Sequence, residues 1–537
     1  MTLTEKFAHP DEPWFNLADE PWLPVRTRDG FETWGLAETL RRAHDVEELA
    51  AGSALEQHCL LRFLLACTYF AHTADPDGDW EQAASGGPLP EAGVEAVLDR
   101  LSEHLWLLHP HTPFMQSHTA STHLAVANAE TKPVDQLTSP PEALVPHIPS
   151  NTNEVWWYRD EHLTSPAALA RGLLTRHFAG SPGNESFVQT TPSEKHRRSE
   201  GGQLLPGPRD TTYVLWKGLR LSSTLVSNLL AEIVDDLEDR GADDVRFFWE
   251  DPPAAVRRSD DPLVRLTASG GLSLLAYAGE QPRVLRVPVT APKANVKALM
   301  ELARMRDPHA LRTPKKDGDR PQELKGLASI VLDPGATHTQ NVFSFYSRVR
   351  AVQHLEPCVA NTALLAHRPP EDARLQALTL LTGGTATGVR MESATAWLLP
   401  DASVYQLSEE AADHVREVLG KLDASKGSLA SQVTYALRQV IIHNAGGPVA
   451  ESRAKGLREE VRRELWNRLD RDAEVTVSAA ARGQTVDGLD GDLRRAWHTA
   501  AADTFEQIAA PYAASPRARG TVAAHRAKLR RKLWTLL

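Results

Sequence analysis

The sequence predicts an α+β protein in two parts. A large mixed α/β N-terminal domain with long loops covers residues 1–400, and a C-terminal antiparallel helical bundle of the four-helix type covers residues 401–537. Three observations lead there. A chain of 537 residues is too long for one compact core, so at least two domains are expected. The first 400 residues mix strand signals, helical periodicity and loops punctuated by Pro and Gly. Beyond Pro400 the pattern is almost purely helical.

Taken in order, Trp22-Leu23-Pro24-Val25-Arg26 reads as a strand. It leads through the turn Arg28-Asp29-Gly30 into a second strand, Phe31 to Trp34. Helices are expected at about 36–50 and 53–72, the second carrying Leu60, Phe63, Leu64 and Cys67 on one face. Residues 73–98 and 109–165 read as loop-rich, and 180–212 shows no periodicity. A stretch that long inside a domain is usually functional or disordered. Alternation typical of strands returns at 262–290. In the C-terminal part helices are expected at about 407–422, 428–444, 454–472, 489–512 and 516–536. The breaks between them are polar or contain Gly or Pro, and short connections between successive helices make an antiparallel bundle.

Composition narrows the function. Hydrophobic residues make up 42% and charged residues 24%, as in ordinary globular proteins. The three cysteines, Cys59, Cys67 and Cys358, exclude a disulfide framework and suit a reducing cytoplasm. No signal peptide and no membrane span is expected, and the longest apolar stretch, Leu60 to Phe70, is interrupted by Arg62 and reads as a buried core helix. The net charge of −11 argues against a general nucleic-acid binder, yet the basic residues cluster. Arg517 to Leu537 holds seven Lys or Arg and no acid, and Ala291 to Gly326 holds nine basic residues against five acidic ones. The acidic stretch Glu232 to Asp244 reads as a solvated helix face rather than a metal site.

Catalytic constellations are missing. There is no GxxxxGK[ST], no HExxH and no CxxC. His109, His111, His118 and His123 lie close together, but their flanks are loop-like and no carboxylate accompanies them, so no metal is expected. His44-Asp45 lacks the partner histidines of a phosphohydrolase. The run Gly383 to Gly388 follows an apolar stretch without a helix N-cap after it, which suits a β-hairpin better than a dinucleotide loop. Its tip is expected at Gly388-Val389-Arg390. A second glycine loop, Ala179 to Asn184, is open to two readings. Glycine amides can approach the minor groove of DNA closely, and the same residues can simply end a helix after Arg176-His177-Phe178.

Five segments together resemble the CasA family, the large subunit of the type I-E CRISPR surveillance complex Cascade. They are Phe15 to Val25; Leu55-Glu56 with Leu60 to Leu65; Pro113 to Gln116 followed by Val145 to Asn153; Asp307-Pro308-His309 with Lys315 to Gly318; and the Gly383-Gly384 hairpin ahead of a helical region ending in a basic helix. The resemblance implies a subunit that reads the protospacer-adjacent motif in duplex DNA, starts strand separation and helps recruit a helicase–nuclease, while guide RNA supplies the remaining specificity. It implies as partners double-stranded target DNA, guide RNA, the other Cascade subunits and the helicase–nuclease effector. No catalytic residue, metal, cofactor or membrane is implied.

Carried over by position, the glycine loop resembles Gly180, Ser181, Pro182, Gly183 and Asn184, and the lysine finger falls on Lys293 or Lys297. Lys315 and Lys316 suit phosphate contacts from a basic hairpin. The strand-separating wedge falls on Gly388, Val389 and Arg390, where an apolar or Arg side chain can part or stack on a base step. Asn153, Trp156 and Trp157 sit where the family meets guide RNA. Two other readings stand beside this one: a nuclease whose carboxylates converge only in space, and a structural scaffold subunit. Around the basic C-terminal helix, Leu529, Leu533, Trp534 and Leu537 are expected to form the apolar stripe that packs into the bundle.

Overall fold

The computed structural model describes residues 12–116, 144, 165–179, 211–250, 261, 263–264, 271–278, 281–288, 309, 312–316, 324–329, 373–385, 388–401, 427–445, 447–481 and 491–536. It is a mixed α/β structure with several small sheets. The chain divides into two units, one of Met1–Val331 with Leu355–Leu398, the other of Leu332–His354 with Leu399–Leu537.

In the first unit, β1 (Trp14–Asn16) is followed by the hairpin of β2 (Leu23–Thr27) and β3 (Gly30–Trp34). Gly30 makes the turn possible with φ of 137°, a region closed to most L side chains. Helix α1 (Leu36–Arg41) is short, and β4 (Val46–Leu49) follows it on the free edge of β2. A single helix over 36–50 was expected, and tertiary packing overrides it. Val46 and Leu49 are buried against β2, while Glu47 and Glu48 between them reach Arg26 at 3.7 and 3.0 Å. Arg42 closes α1 by bridging Glu38 at 2.7 Å and Asp45 at 3.0 Å.

Helix α2 (Ala54–Ala74) is the axis of the unit and is buried on nearly every side, as an apolar helix must be. Ser53 caps its start by accepting from the Glu56 amide at 3.2 Å. Residues 73–98 were expected to be loops, but they contain α3 (Trp80–Ala84) and most of α4 (Glu91–Leu101). Val94, Val97, Leu98 and Leu101 of α4 repeat at helical spacing and are buried, a short period masked in the sequence by the Gly and Pro before it. At Gly93 a Cβ would stand 2.7 Å from the Ala71 carbonyl oxygen, so glycine lets α4 lie directly on α2. Strand β5 (Trp106–Leu108) pairs with β1, and α5 (Pro166–Ala179) packs on α2, held by Arg171, which bonds Glu56 at 2.6 Å and the Trp22 carbonyl at 2.9 Å.

Strand β6 (Thr211–Lys217) follows, then α6 (Leu221–Val226) and α7 (Ala231–Arg240). Tyr69 of α2 fastens this region by accepting from the Leu230 amide and donating to the Asn228 carbonyl, both at 2.9 Å. Of the acidic stretch 232–244, Asp235, Glu238 and Asp239 are exposed on α7 while Leu237 is buried, and Glu238 stands 3.3 Å from His72. Two hairpins come next, β7 (Gly271–Ala278) with β8 (Gln281–Pro288), and β9 (Arg312–Lys316) with β10 (Leu324–Ser329). Strands β11 (Arg374–Thr385) and β12 (Gly388–Asp401) join β6 in a sheet of order β12-β11-β6.

The second unit contains α8 (Leu429–Ala445), α9 (Glu451–Ala481), α10 (Gly491–Ala509) and α11 (Pro516–Leu536). All four feed one core, with Leu437 and Val440 from α8, Leu465 and Trp466 from α9, Phe505 from α10, and Leu529 and Leu533 from α11. Ser515 caps α11 by accepting from the Ala518 amide at 3.1 Å, with Pro516 in the first turn. Trp534 departs from expectation. Leu529 and Leu533 are buried as expected, but Trp534 is 70% exposed, because its position is a further 100° around the helix from Leu533. The expected helix at 407–422 and Leu537 lie outside the described residues. Among the described residues no helix is long and apolar enough to cross a membrane.

Candidate nucleic-acid interface

Strand β6 gathers what is described of three segments singled out in the sequence: the end of α5, His309 and β11. On one edge it pairs with β11 from Lys217↔Arg374 to Thr211↔Leu380, and the Thr212 and Thr379 hydroxyls bond at 2.7 Å. On its other edge the Val214 amide donates to the His309 carbonyl at 2.8 Å, and His309 Nδ1 lies 3.3 Å from the Val214 carbonyl oxygen. His309, fully buried, is thereby fixed three residues ahead of β9.

The same strand receives the chain returning from the glycine-loop region. Helix α5 ends at Ala179, immediately before Gly180, and β6 begins at Thr211. Arg62 of α2 ties these two ends together. Its guanidinium carbon stands 5.6 Å from the Phe178 ring and 5.6 Å from the Tyr213 ring, and the residue is 5% exposed. A cation between two aromatic faces with little water near it is held firmly. Sequence reasoning missed this role. The available signal was an arginine inside an apolar helical run, since a buried charge requires a reason.

His58, one turn before Arg62, packs on Tyr213 with ring centroids 4.9 Å apart. Burial, the nearby Arg62 cation and His309 hold its imidazole well below the ordinary histidine range, so it is neutral. A cavity of about 30 Å³ adjoins it, lined among others by Glu48, Tyr213, Lys217 and Gln376. Burial alone would raise the Glu48 carboxyl, but Lys217 at 2.7 Å and Arg26 at 3.0 Å hold it below its usual value. The sheet edge is thus electrostatically settled, with charges paired and the imidazole uncharged.

The hairpin of β11 and β12 runs past the end of β6. Five residues of β11 follow Leu380, a length of about 17 Å. Gly388, Val389 and Arg390 were expected at the hairpin tip; they are instead the first three residues of β12, because the chain reverses between Thr385 and Gly388. Lys315 and Lys316 are the last residues of β9, where Lys316 pairs with Leu324 at the turn end of that hairpin. Gly180, Ser181, Pro182, Gly183, Asn184, Lys293, Lys297, Asn153, Trp156 and Trp157 lie outside the described residues. Of the histidine group, His109 serves its own turn, its Nδ1 accepting from the amides of His111 at 3.1 Å and Thr112 at 2.8 Å, while His118 and His123 lie outside the described residues. Among the described residues no group of three or more His, Cys, Asp or Glu is placed to hold a metal ion.

This fold is that of CRISPR-associated proteins. A chain of Thermobifida fusca Cse1 superposes with a TM-score of 0.67 at 19% identity, covering 97% of this chain and 98% of that one. A chain of a CRISPR RNA-guided surveillance complex does so with a TM-score of 0.61 at 17% identity, covering 96% and 99%. The family described as CRISPR-associated protein Cse1 matches residues 16–508, and the chain belongs to that family. A relative from Thermus thermophilus, CRISPR-associated protein CasA/Cse1, is 31% identical over 176 residues, a match that spans 32% of this chain and 32% of the relative.

Proposed function

We propose that the chain is the large subunit of a type I-E CRISPR surveillance complex, Cascade, acting by binding rather than catalysis. In this reading it recognises the protospacer-adjacent motif in duplex DNA, begins strand separation and helps recruit the helicase–nuclease, in the cytoplasm and alongside guide RNA and companion subunits. Residues 180–184 approach the minor groove, Lys293 or Lys297 serves as the finger, Lys315 and Lys316 hold phosphates, and Val389 with Arg390 part the strands. Asn153, Trp156 and Trp157 meet guide RNA. Residues 1–400 act as the nucleic-acid-contacting domain and residues 401–537 as an antiparallel bundle. Membership of the Cse1 family and the likeness to a chain of a surveillance complex support the assembly role.

One observation carries the site reading. His309 and β11 are held directly on β6, and Arg62 joins the end of α5 at Phe178 to Tyr213 of the same strand. A shared strand that fixes the points from which separate segments depart supports the reading of a short duplex motif. A two-stranded ribbon is also a shape that a DNA groove accepts.

The test uses the assembled complex with guide RNA and duplexes that carry or lack the adjacent motif. Lys297→Ala, Val389→Ala and Arg390→Ala are each expected to weaken motif-dependent binding or strand opening by about tenfold, the loss of a contact worth 1–3 kcal/mol. Unchanged affinity and unchanged opening in all three variants would show the site to be misplaced. Mg²⁺-dependent cleavage of labelled DNA, abolished by one carboxylate substitution, would replace binding with nuclease action.

A further inference from the structure

In a protein of net charge −11, α8 and α11 contain no Asp or Glu at all. Helix α11 carries Arg517, Arg519, Arg526, Lys528, Arg530, Arg531 and Lys532, and α8 adds Arg438. Among the described residues only Arg526 of those on α11 meets a carboxylate, that of Glu506.

Aromatic rings border this face. Helix α11 buries a narrow stripe, His525, Leu529 and Leu533, and packs against α8 and α10. With 100° between successive residues, Lys528 and Lys532 fall toward α8, Arg530 and Trp534 toward α10, and Arg531 on the crest between them. The contacts agree. Lys532 Nζ stands 5.1 Å from the ring of Tyr435 on α8, and Trp534 lies 4.6 Å from the ring of His498 on α10. Tyr435 is 56% exposed and Trp534 70% exposed, so both rings lie largely in solvent. Both rings stand outside the core and beside the basic face of α11.

We infer that this face is a platform for single-stranded nucleic acid, with unpaired bases stacking on Trp534 and Tyr435 and phosphates held by Lys528, Arg530, Arg531 and Lys532. Open rings interleaved with unpaired cations are how proteins bind single strands without regard to sequence, since every base has a π-face. A duplex hides its bases, so it engages the cations alone. An acidic protein surface would likewise use the charges and leave the rings without a stacking partner. The inference goes beyond the duplex-reading role, lies on different residues and needs no adjacent motif.

The test is fluorescence anisotropy of the full-length chain with a labelled oligo-dT 20-mer, at several salt concentrations. Trp534→Ala and Tyr435→Ala are each expected to weaken binding by about tenfold. Trp534→Phe keeps a stacking face and restores most of the affinity. A duplex of equal length keeps its affinity within about twofold in both alanine variants. For four phosphate contacts the slope of log K against log salt is about −3, and replacing Lys528, Arg531 and Lys532 by Gln flattens it by about 2. Circular dichroism melting establishes that each variant is folded. Failure of the folded wild type to bind, or alanine variants that bind as wild type does, overturns the inference. Competition by poly-glutamate as effective as that by oligo-dT, with the alanine variants silent, would assign the face to an acidic protein partner instead. Motif-dependent duplex binding by the assembled complex is a separate measurement, so either reading can fail alone.

Discussion

His58 makes the stability of the N-terminal unit acid-sensitive by an amount that can be calculated. In the unfolded chain its imidazole titrates near 6.5. In the fold, burial, Arg62 and His309 depress it well below that value. The unfolded state therefore binds the proton that the folded state refuses, and stability falls as pH drops through about 6.5. For a site that stays neutral when folded, the loss between pH 7.5 and 5.5 is RT ln(1 + 10) minus RT ln(1 + 0.1), or about 1.4 kcal/mol. The loss is complete only below the folded value, and above about pH 7.5 nothing remains to be gained. Urea denaturation of the full chain at both pH values, with wild type and His58→Gln compared, isolates this contribution from those of other histidines. The wild type should lose about 1.4 kcal/mol more than the variant between the two conditions. Equal losses in the two proteins would refute the claim that His58 is held neutral between Tyr213 and Arg62.

Three further outcomes follow from the packing. Leu533→Ala should cost about 3 kcal/mol, because the side chain is fully buried, whereas Trp534→Ala beside it should cost no more than about 0.5 kcal/mol; urea midpoints of the two variants decide. Gly93→Ala forces a Cβ to within 2.7 Å of the Ala71 carbonyl oxygen and should cost about 1–3 kcal/mol by the same measurement, with the helices pushed apart. Arg62→Met keeps most of the volume but removes both ring contacts, so it should lower motif-dependent duplex affinity of the assembled complex while shifting Tm only slightly, since desolvating the charge offsets much of what the contacts contribute.

How much of this was legible in the sequence depended on how local the cause was. The β2–β3 hairpin was legible because Arg28-Asp29-Gly30 encodes its own turn. The ends of α8 and α11 were legible because Ser428 and Ser515-Pro516 stand at helix starts and the apolar period is regular. Strand β4 was not, because Val46-Glu47-Glu48-Leu49 becomes a strand through β2 and through Lys217, which lies 169 positions away. The exposure of Trp534 depended on how far round α11 its neighbours reach, which composition alone does not give. At the candidate site the sequence marked the hairpins but not what holds the end of α5 to β6. Arg62 looks like an interruption of an apolar run until Phe178 and Tyr213 are placed on either side of it.

The clamp formed by Arg62 has an engineering consequence. The chain leaves α5 at Ala179 and re-enters at Thr211, and the ring on each side of that gap is pinned to the same guanidinium. The two positions are therefore set by α5, β6 and the guanidinium between them. On the reading proposed above, substituting residues 180–210 by the corresponding stretch of another family member is a direct way to change which duplex the protein prefers.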